Sequence, residues 1–185
     1  MTRYVAFLKG INVGGNKRVK MADLRALIAA LGHGDVSTFQ AAGNALFTTG
    51  RPATDLAGEI EAAIKAELAM SVRVMVRTAS ELGEVVARNP LARDPENPAR
   101  YFVGFLSATP DAAAAGEVQR ELEQALAIGG TATDRTWLDG AEAFFWCPVG
   151  FSLLDHAGTI ERRLGVAVTT RNWNTVTKLA QMTAA

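Results

Sequence analysis

Apolar and polar positions in the first half of the chain recur with the periods of strands and helices in turn. Residues 4–8 are apolar and uncharged, which predicts a strand buried on both faces. Residues 36–41 and 45–49 predict two strands around the Gly43-Asn44 turn, and residues 72–76 predict a fourth. Helical spacing of apolar residues between positions 21 and 31, and again between 56 and 68, predicts the two helices that separate these strands. The predicted order is βαββαβ.

A short helix and a proline-rich stretch follow this first module. Thr78 and Glu81 have the spacing of a capping box, which predicts a helix that Pro90 ends. Residues 90–99 combine prolines with acidic and amide residues, as linkers do.

The same order of elements is predicted again beyond residue 100. Residues 101–106 form a second apolar strand, and Thr109-Pro110 caps a helix that ends at Gly129-Gly130. The Asp139-Gly140 dipeptide predicts a hairpin between strands at 131–138 and 143–147. A helix through positions 160 and 164, a strand near 166–169 and a final helix from Trp173 complete the pattern.

Two such modules predict an α+β protein of two tandem ferredoxin-like domains, with antiparallel sheets and an extra C-terminal helix. Residues 1–78 form the first module, residues 79–99 the connecting helix and linker, and residues 100–185 the second module with the final helix. The first and third strands of each module should lie at the centre of its sheet. Because both first strands are apolar on two faces, we expect the helix-free sheet faces to be covered by the other module or by a second subunit.

Composition restricts the location of the protein more than its chemistry. No apolar run approaches 18 residues, so no membrane span is predicted, and the chain starts without a secretory signal. A single cysteine, Cys147, excludes an internal disulfide and a cysteine-rich metal site. We therefore expect a cytoplasmic protein.

Charge is balanced overall, with 19 basic and 19 acidic residues, but it is spread unevenly. Residues 1–25 hold six basic residues against Asp23, and residues 161–185 hold four against Glu161, which leaves a net charge of −8 between the two segments. Such asymmetry marks either an anion-binding surface or termini that lie against acidic parts of the same molecule. The zero net charge argues against unspecific nucleic-acid binding.

The loop at residues 9–18 is the first candidate site. Its glycines allow the backbone to present several N–H groups to one anion, and basic side chains accompany them. The loop matches neither the P-loop nor the dinucleotide-binding pattern, and its alternative explanation is a tight turn that needs a positive φ. Because strands one and two of a split βαβ module run parallel, the loop should lie beside residues 40–44. The candidate ligand-binding residues here are Asn12, Gly14, Gly15, Lys17, Arg18, Gln40 and Asn44.

Residues 169–176 hold the second candidate site. Trp173 shares a helical face with later apolar residues and is expected in the core, with Asn172 or Thr170 as the N-cap. Arg171 then lies at the positive end of a helix, which favours an anion, unless an internal carboxylate pairs with it. Arg171, Asn172 and Asn174 are the candidate ligand-binding residues of this motif.

The sequence offers no constellation for catalysis or metal binding. The two histidines, His33 and His156, lack metal-ligand spacing, and no G-x-S-x-G elbow is present. Cys147 lies in an apolar strand, where its thiol is expected to be buried and inert. We therefore predict no cofactor or metal and name no catalytic residue, and whether the chain is an enzyme stays open.

Three motifs together resemble a known bacterial family. Residues 9–15 (KGINVGG), 42–44 (AGN) and 170–176 (TRNWNTV) are similar to the family called domain of unknown function 1697, and the resemblance covers essentially the whole chain. It implies a bacterial, cytoplasmic protein with no established activity. Lys9 stands where this family more often has arginine, and residues 151–154 (FSLL) lack a usual lysine, which removes a cation from that segment.

Three functions follow as hypotheses. The first is binding of a small anionic ligand (a nucleotide, a phosphorylated metabolite or a nucleic-acid phosphate) by both motifs in one pocket, with Arg18 and Arg171 on one face and open to solvent. The second is an enzyme that stabilises an anionic substrate electrostatically. The third is an interaction module whose sheet faces form a homodimer without catalysis.

Overall fold

The computed structural model describes residues 1–13, 18–91, 96–129, 134–148 and 153–184. The chain divides into two compact units. Unit 1 comprises Met1–Glu84 and Lys178–Ala185, and unit 2 comprises Val85–Thr177. The division proposed from the sequence differs in two places, because it treats residues 79–99 as a connection and assigns residues 178–185 to the second module.

Unit 1 contains the first βαββαβ module. Its strands are β1 (Thr2–Leu8), β2 (Gly34–Phe39), β3 (Asn44–Thr49) and β4 (Val74–Thr78), and its connecting helices are α1 (Met21–Ala30) and α2 (Ala53–Leu68). The sheet order is β2-β3-β1-β4, and its paired strands are antiparallel. The first and third strands are therefore central, as the ferredoxin-like prediction requires. Helix α3 (Ala79–Ala87) follows β4 and contains the unit boundary.

Unit 2 repeats this topology. Its strands are β5 (Tyr101–Leu106), β6 (Arg135–Asp139), β7 (Glu142–Trp146) and β8 (Val168–Asn172), with helices α4 (Ala112–Gly129) and α5 (Leu153–Leu164) between them. The sheet order β6-β7-β5-β8 is the same as in unit 1, again with antiparallel pairs. Helix α6 (Trp173–Ala184) ends the fold. The structure confirms an α+β protein of two tandem ferredoxin-like modules.

The core of unit 1 lies between its sheet and its two helices. Alternate residues of β1, such as Ala6 and Leu8, join one cluster with Leu24 of α1 and other apolar residues of both helices. The intervening residues Val5 and Phe7 are also fully buried. The uninterrupted apolar run in β1 thus reflects a strand that is buried on both faces, as predicted.

Side chains cap the starts of helices α3 and α4. The N–H of Thr78 donates to Glu81 Oε2 at 2.7 Å, and the N–H of Glu81 donates to Thr78 Oγ1 at 3.1 Å, so the predicted capping box begins α3. Helix α4 is capped instead by Asp111, whose Oδ1 accepts two first-turn N–H groups at 3.0 Å. The prediction that Thr109-Pro110 caps this helix is therefore wrong. No helix in the described ranges combines the length and apolarity that a membrane span requires.

Candidate functional site

The loop between β1 and α1 folds back onto the turn between β2 and β3. The N–H of Leu8 donates to the carbonyl oxygen of Gly43 at 2.9 Å. The side-chain Nδ2 of Asn12 donates to the carbonyl oxygen of Ala41 at 2.7 Å. The predicted meeting of this loop with residues 40–44 is therefore confirmed.

Asn12 holds the two ends of the loop together. Its φ of 56° lies in the left-handed region, which asparagine tolerates better than most residues. Its Nδ2 also donates to the carbonyl oxygen of Val19 at 2.9 Å, and its Oδ1 accepts the N–H of Val19 at 2.9 Å. Both amide hydrogens and one oxygen lone pair are thus used within the fold. Asn12 is first of all a clamp on the loop.

Two buried side chains and one glycine fix the loop in place. Ile11 and Val19 are 1% and 4% exposed and belong to the core of unit 1. Gly43 has a φ of +78°, and a Cβ atom there would lie 2.6 Å from Ile11 Cδ1 and 2.8 Å from Leu8 Cβ. Glycine is therefore required at position 43 both by backbone conformation and by the close approach of the loop.

A groove of about 510 Å³ opens beside the clamp. Its lining residues are Asn12, Arg18, Val19, Lys20 and Asp23. Arg18, Lys20 and Asp23 are exposed, so the groove presents two cations and one carboxylate to solvent. We call it the basic groove.

The start of α1 lies at this groove. Lys20 is the N-cap residue, and among the described residues no side chain caps the helix. A helix start without such a cap leaves its first-turn N–H groups to another acceptor, and these groups carry a partial positive charge. In α4, the equivalent helix of unit 2, the carboxylate of Asp111 occupies this position. The two modules thus differ in a feature that favours anions.

The two modules also differ in the length of the loop between their first strand and their first helix. Twelve residues (9–20) connect β1 to α1, whereas five (107–111) connect β5 to α4. The hydrogen bond that joins the end of the first strand to the hairpin turn is nevertheless the same in both modules. The N–H of Leu106 donates to the carbonyl oxygen of Ala141 at 2.9 Å, as the N–H of Leu8 donates to that of Gly43. A connection of this length is unusual between a strand and a helix and is often functional. The loop is therefore an elaboration that unit 1 carries and unit 2 lacks.

The hairpin residues predicted for the site have structural roles of their own. Asn44 is fully buried at the start of β3, and its Nδ2 donates to the carbonyl oxygen of Phe39 at 2.9 Å. Gln40 is exposed in the turn with a φ of 58°. Gly14, Gly15 and Lys17 lie outside the described residues. Their part in ligand binding stays a prediction.

The second motif differs from the sequence prediction in the exposure of its arginine. Arg171 lies near the end of β8 opposite Val103, directly before the first residues of α6, but it is only 8% exposed. Its Nη1 donates to Thr169 Oγ1 at 2.9 Å and to the carbonyl oxygen of Thr170 at 2.8 Å. Burial lowers the pKa of the guanidinium to about 10, so Arg171 stays cationic at neutral pH. The solvent-open cation expected at this position is not found.

The residues after Arg171 begin α6. Asn172 Oδ1 accepts the N–H of Thr175 at 3.0 Å, which confirms it as the N-cap. Trp173 is 3% exposed, and its ring centroid lies 5.0 Å from that of Tyr101, as expected of a core residue. Asn174 is exposed in the first turn. This motif belongs to unit 2 and the loop to unit 1, so a joint site stays a prediction.

Sequence reasoning missed Lys20 and Asp23 as residues of the basic groove. One signal was available for them. Position 20, just before the first apolar residue of the helical pattern, holds lysine where serine, threonine, aspartate or asparagine is usual. A helix that begins without such a residue leaves its first N–H groups to solvent or to a ligand.

Known proteins resemble the chain in sequence and in structure. The model of the family described as "Protein of unknown function (DUF1697)" matches residues 1–133, a range that includes the basic groove. The conserved bacterial protein SP0830 from Streptococcus pneumoniae is 21% identical, with 98% of each chain covered and a TM-score of 0.65, so the two share their fold. No curated protein matches the chain. The chain belongs to the DUF1697 family, whose function is unknown.

Proposed function

We propose that unit 1 binds a small anionic ligand, a phosphorylated metabolite or a nucleotide, in the basic groove. The observation that carries the proposal is the position of Arg18 and Lys20 in a groove at a helix start that no described side chain caps. Phosphate groups bind at such helix starts because N–H donors and the helix dipole both favour negative charge.

Electrostatics favour an anion in this groove. The described lining side chains carry two positive charges and one negative charge, and the start of α1 adds roughly half a positive charge. Asp23 lowers the local potential without reversing its sign. An exposed cation contributes modestly to binding, on the order of 1 kcal/mol, so we expect micromolar to millimolar affinity that weakens with salt.

The clamp supports binding by reducing the cost of ordering the loop. Asn12 ties residue 12 to residue 19 through two hydrogen bonds and to the neighbouring turn through a third. The adjacent residues Arg18 and Lys20 are thereby held at the groove before any ligand arrives. Pre-organisation of this kind raises affinity because less conformational entropy is lost on binding.

Isothermal titration calorimetry with inorganic phosphate, ribose 5-phosphate and AMP tests the proposal. The variants Arg18→Gln and Lys20→Gln should each weaken binding by about fivefold, the effect of losing roughly 1 kcal/mol. Lys65→Gln is the matched control, because Lys65 is an exposed lysine of the same unit that lies on α2 outside the groove lining. Its affinity should equal that of the wild type.

Equal weakening in Lys65→Gln would show only a general charge effect and would refute a site at this groove. Absence of binding in the wild type at low ionic strength would also refute it. Each phosphate ester that binds should then be assayed for release of inorganic phosphate. Turnover that Arg18→Gln abolishes would assign the groove to an enzyme instead of a binding protein.

A further inference from the structure

A second groove of about 550 Å³ lies between α1 and α2. Its aliphatic lining residues are Ala26, Leu27, Ala30, Leu31, Ala63 and Leu68. The other described lining residues are two carboxylates, Asp23 and Glu67. We call it the aliphatic groove.

Asp23 lines the aliphatic groove and the basic groove alike. The two grooves are therefore neighbours at the first turn of α1, one polar and cationic, the other apolar. A ligand that filled both would need an anionic group joined to an apolar part. We infer that the ligand of unit 1 is an organic phosphate with an aliphatic chain, whose phosphate binds at Arg18 and Lys20 and whose chain lies between α1 and α2. This inference rests on the proposed function of the basic groove.

The charges of the two grooves determine the orientation of such a ligand. Glu67 repels a phosphate group from the aliphatic groove. Asp23 lines both grooves, but in the basic groove Arg18 and Lys20 outweigh its charge. An uncharged hydrocarbon chain has no unfavourable interaction with either carboxylate. A basic peptide helix would suit the two carboxylates, but its cations would be repelled by Arg18 and Lys20.

The lining also selects an aliphatic group over a nucleobase. Proteins hold bases by stacking them on aromatic side chains and by hydrogen bonds to their edges. Among the described residues, no aromatic side chain lines either groove, and those that line the aliphatic groove are alanines, leucines and two carboxylates. Alanines on facing helices leave room for a chain, and the leucines give it apolar contacts.

A series of alkyl phosphates tests the inference by calorimetry. Methyl, butyl and octyl phosphate are titrated below their micelle-forming concentrations, with AMP as the nucleotide comparison. A fully buried methylene strengthens binding by about fourfold, and a half-buried one by about twofold. Because the groove is open to solvent, we expect octyl phosphate to bind about 16-fold more tightly than butyl phosphate.

Two alanines in the last turn of α1 provide a matched pair of variants. Ala30 lines the aliphatic groove and Ala29 does not, and both are exposed. Ala30→Glu should reduce the difference between butyl and octyl phosphate to within about twofold while methyl phosphate binds as in Ala29→Glu. Ala26→Glu places the charge one turn earlier in the same groove and should act like Ala30→Glu. Circular dichroism confirms that each variant is folded.

The outcomes separate the inference from the proposal beneath it. If inorganic and methyl phosphate bind but affinity does not rise with chain length, the aliphatic occupant is wrong and the anion site stands. A chain-length effect that Ala29→Glu removes as fully as Ala30→Glu would place the chain elsewhere and overturn the inference. Tighter binding of AMP than of octyl phosphate would show that the ligand carries a nucleobase and not an aliphatic chain, and would overturn the inference. If no phosphate binds at all, both proposals fail.

Discussion

Replacing Gly43 with alanine should destabilise unit 1 through the contact between the β2–β3 turn and the β1–α1 loop. Gly43 has a φ of +78°, and the added methyl carbon would lie 2.6 Å from Ile11 Cδ1 and 2.8 Å from Leu8 Cβ. Ile11 is 1% exposed and Leu8 fully buried, so neither side chain moves aside without disturbing the core. The turn or the loop must shift instead.

The expected cost has two parts. Left-handed backbone conformation costs about 1 kcal/mol for an alanine relative to glycine. Forcing one methyl group into a packed site costs about 1 to 3 kcal/mol more. We therefore expect the free energy of unfolding of unit 1 to fall by about 2 to 4 kcal/mol.

Gly140 provides an internal control in unit 2. It occupies the equivalent hairpin turn with a φ of +63°, but a Cβ atom there would have no neighbour within 4 Å among the described residues. Gly140→Ala should therefore cost only the conformational part, about 1 kcal/mol. The difference between the two variants isolates the packing of the loop against the turn.

Urea unfolding measures both variants. The three tryptophans, at positions 137, 146 and 173, all belong to unit 2, so their fluorescence follows that unit, whereas far-UV circular dichroism follows both. Hydrogen exchange at Val19, whose N–H is bound by Asn12, should accelerate in Gly43→Ala alone. A cost for Gly43→Ala no greater than that for Gly140→Ala would contradict the prediction, because the loop would then not be packed on the turn.

Two further predictions concern charged groups away from the grooves. Burial, and then the charge of Arg51, lower the pKa of His33, although Glu59 Oε2 lies 3.3 Å from its Nε2. In the unfolded chain His33 binds its proton with the ordinary pKa near 6.5, so the contribution of neutral His33 to the free energy of unfolding is complete above that pH. It falls as the pH drops below 6.5, by at most about 1.4 kcal/mol per pH unit. His33→Phe should remove this pH dependence from urea midpoints between pH 7.5 and 5.5, and an unchanged pH dependence would contradict the assignment. In unit 2, Arg88 donates to Asp139 at 2.7 Å and to Glu142 at 2.8 Å, and Glu142 is only 6% exposed. Arg88→Gln should therefore cost about 2 kcal/mol, a value reduced for the partial exposure of Arg88. The double variant with Glu142→Gln should be less destabilised, and equal losses in urea unfolding would contradict a dependence of the Glu142 charge on Arg88.

The fold was predictable from the sequence because each module alternates clear strand and helix periods. Element boundaries were less predictable where the pairing partner decides them. Strands β4 and β8 both begin two residues later than the apolar pattern indicates, since each starts opposite the end of its central strand, Val74 against Leu8 and Val168 against Leu106. Register along a neighbouring strand is a non-local property that periodicity does not contain.

The candidate site was predictable only in its position. Parallel alignment of the first two strands brings the basic loop to the hairpin turn, and this follows from topology alone. The role of Asn12 as a clamp depends on three backbone groups that meet it only in the folded chain. For Arg171 the sequence predicted the wrong exposure. Strand β8 extends to residue 172, and the guanidinium that was expected to be open to solvent is buried.

The two modules separate what the fold requires from what unit 1 adds. Both need a central strand whose end bonds to the hairpin turn, and Leu8 and Leu106 do this alike. Unit 2 then reaches its first helix in five residues and caps it with Asp111. In unit 1 twelve residues connect the first strand to the first helix, and Asn12 holds this loop together. Two cations of the loop line the basic groove, and no described side chain caps the helix. Since the shorter connection of unit 2 already completes the fold, the extra loop residues of unit 1 are the part of the module on which the proposed anion binding is best tested.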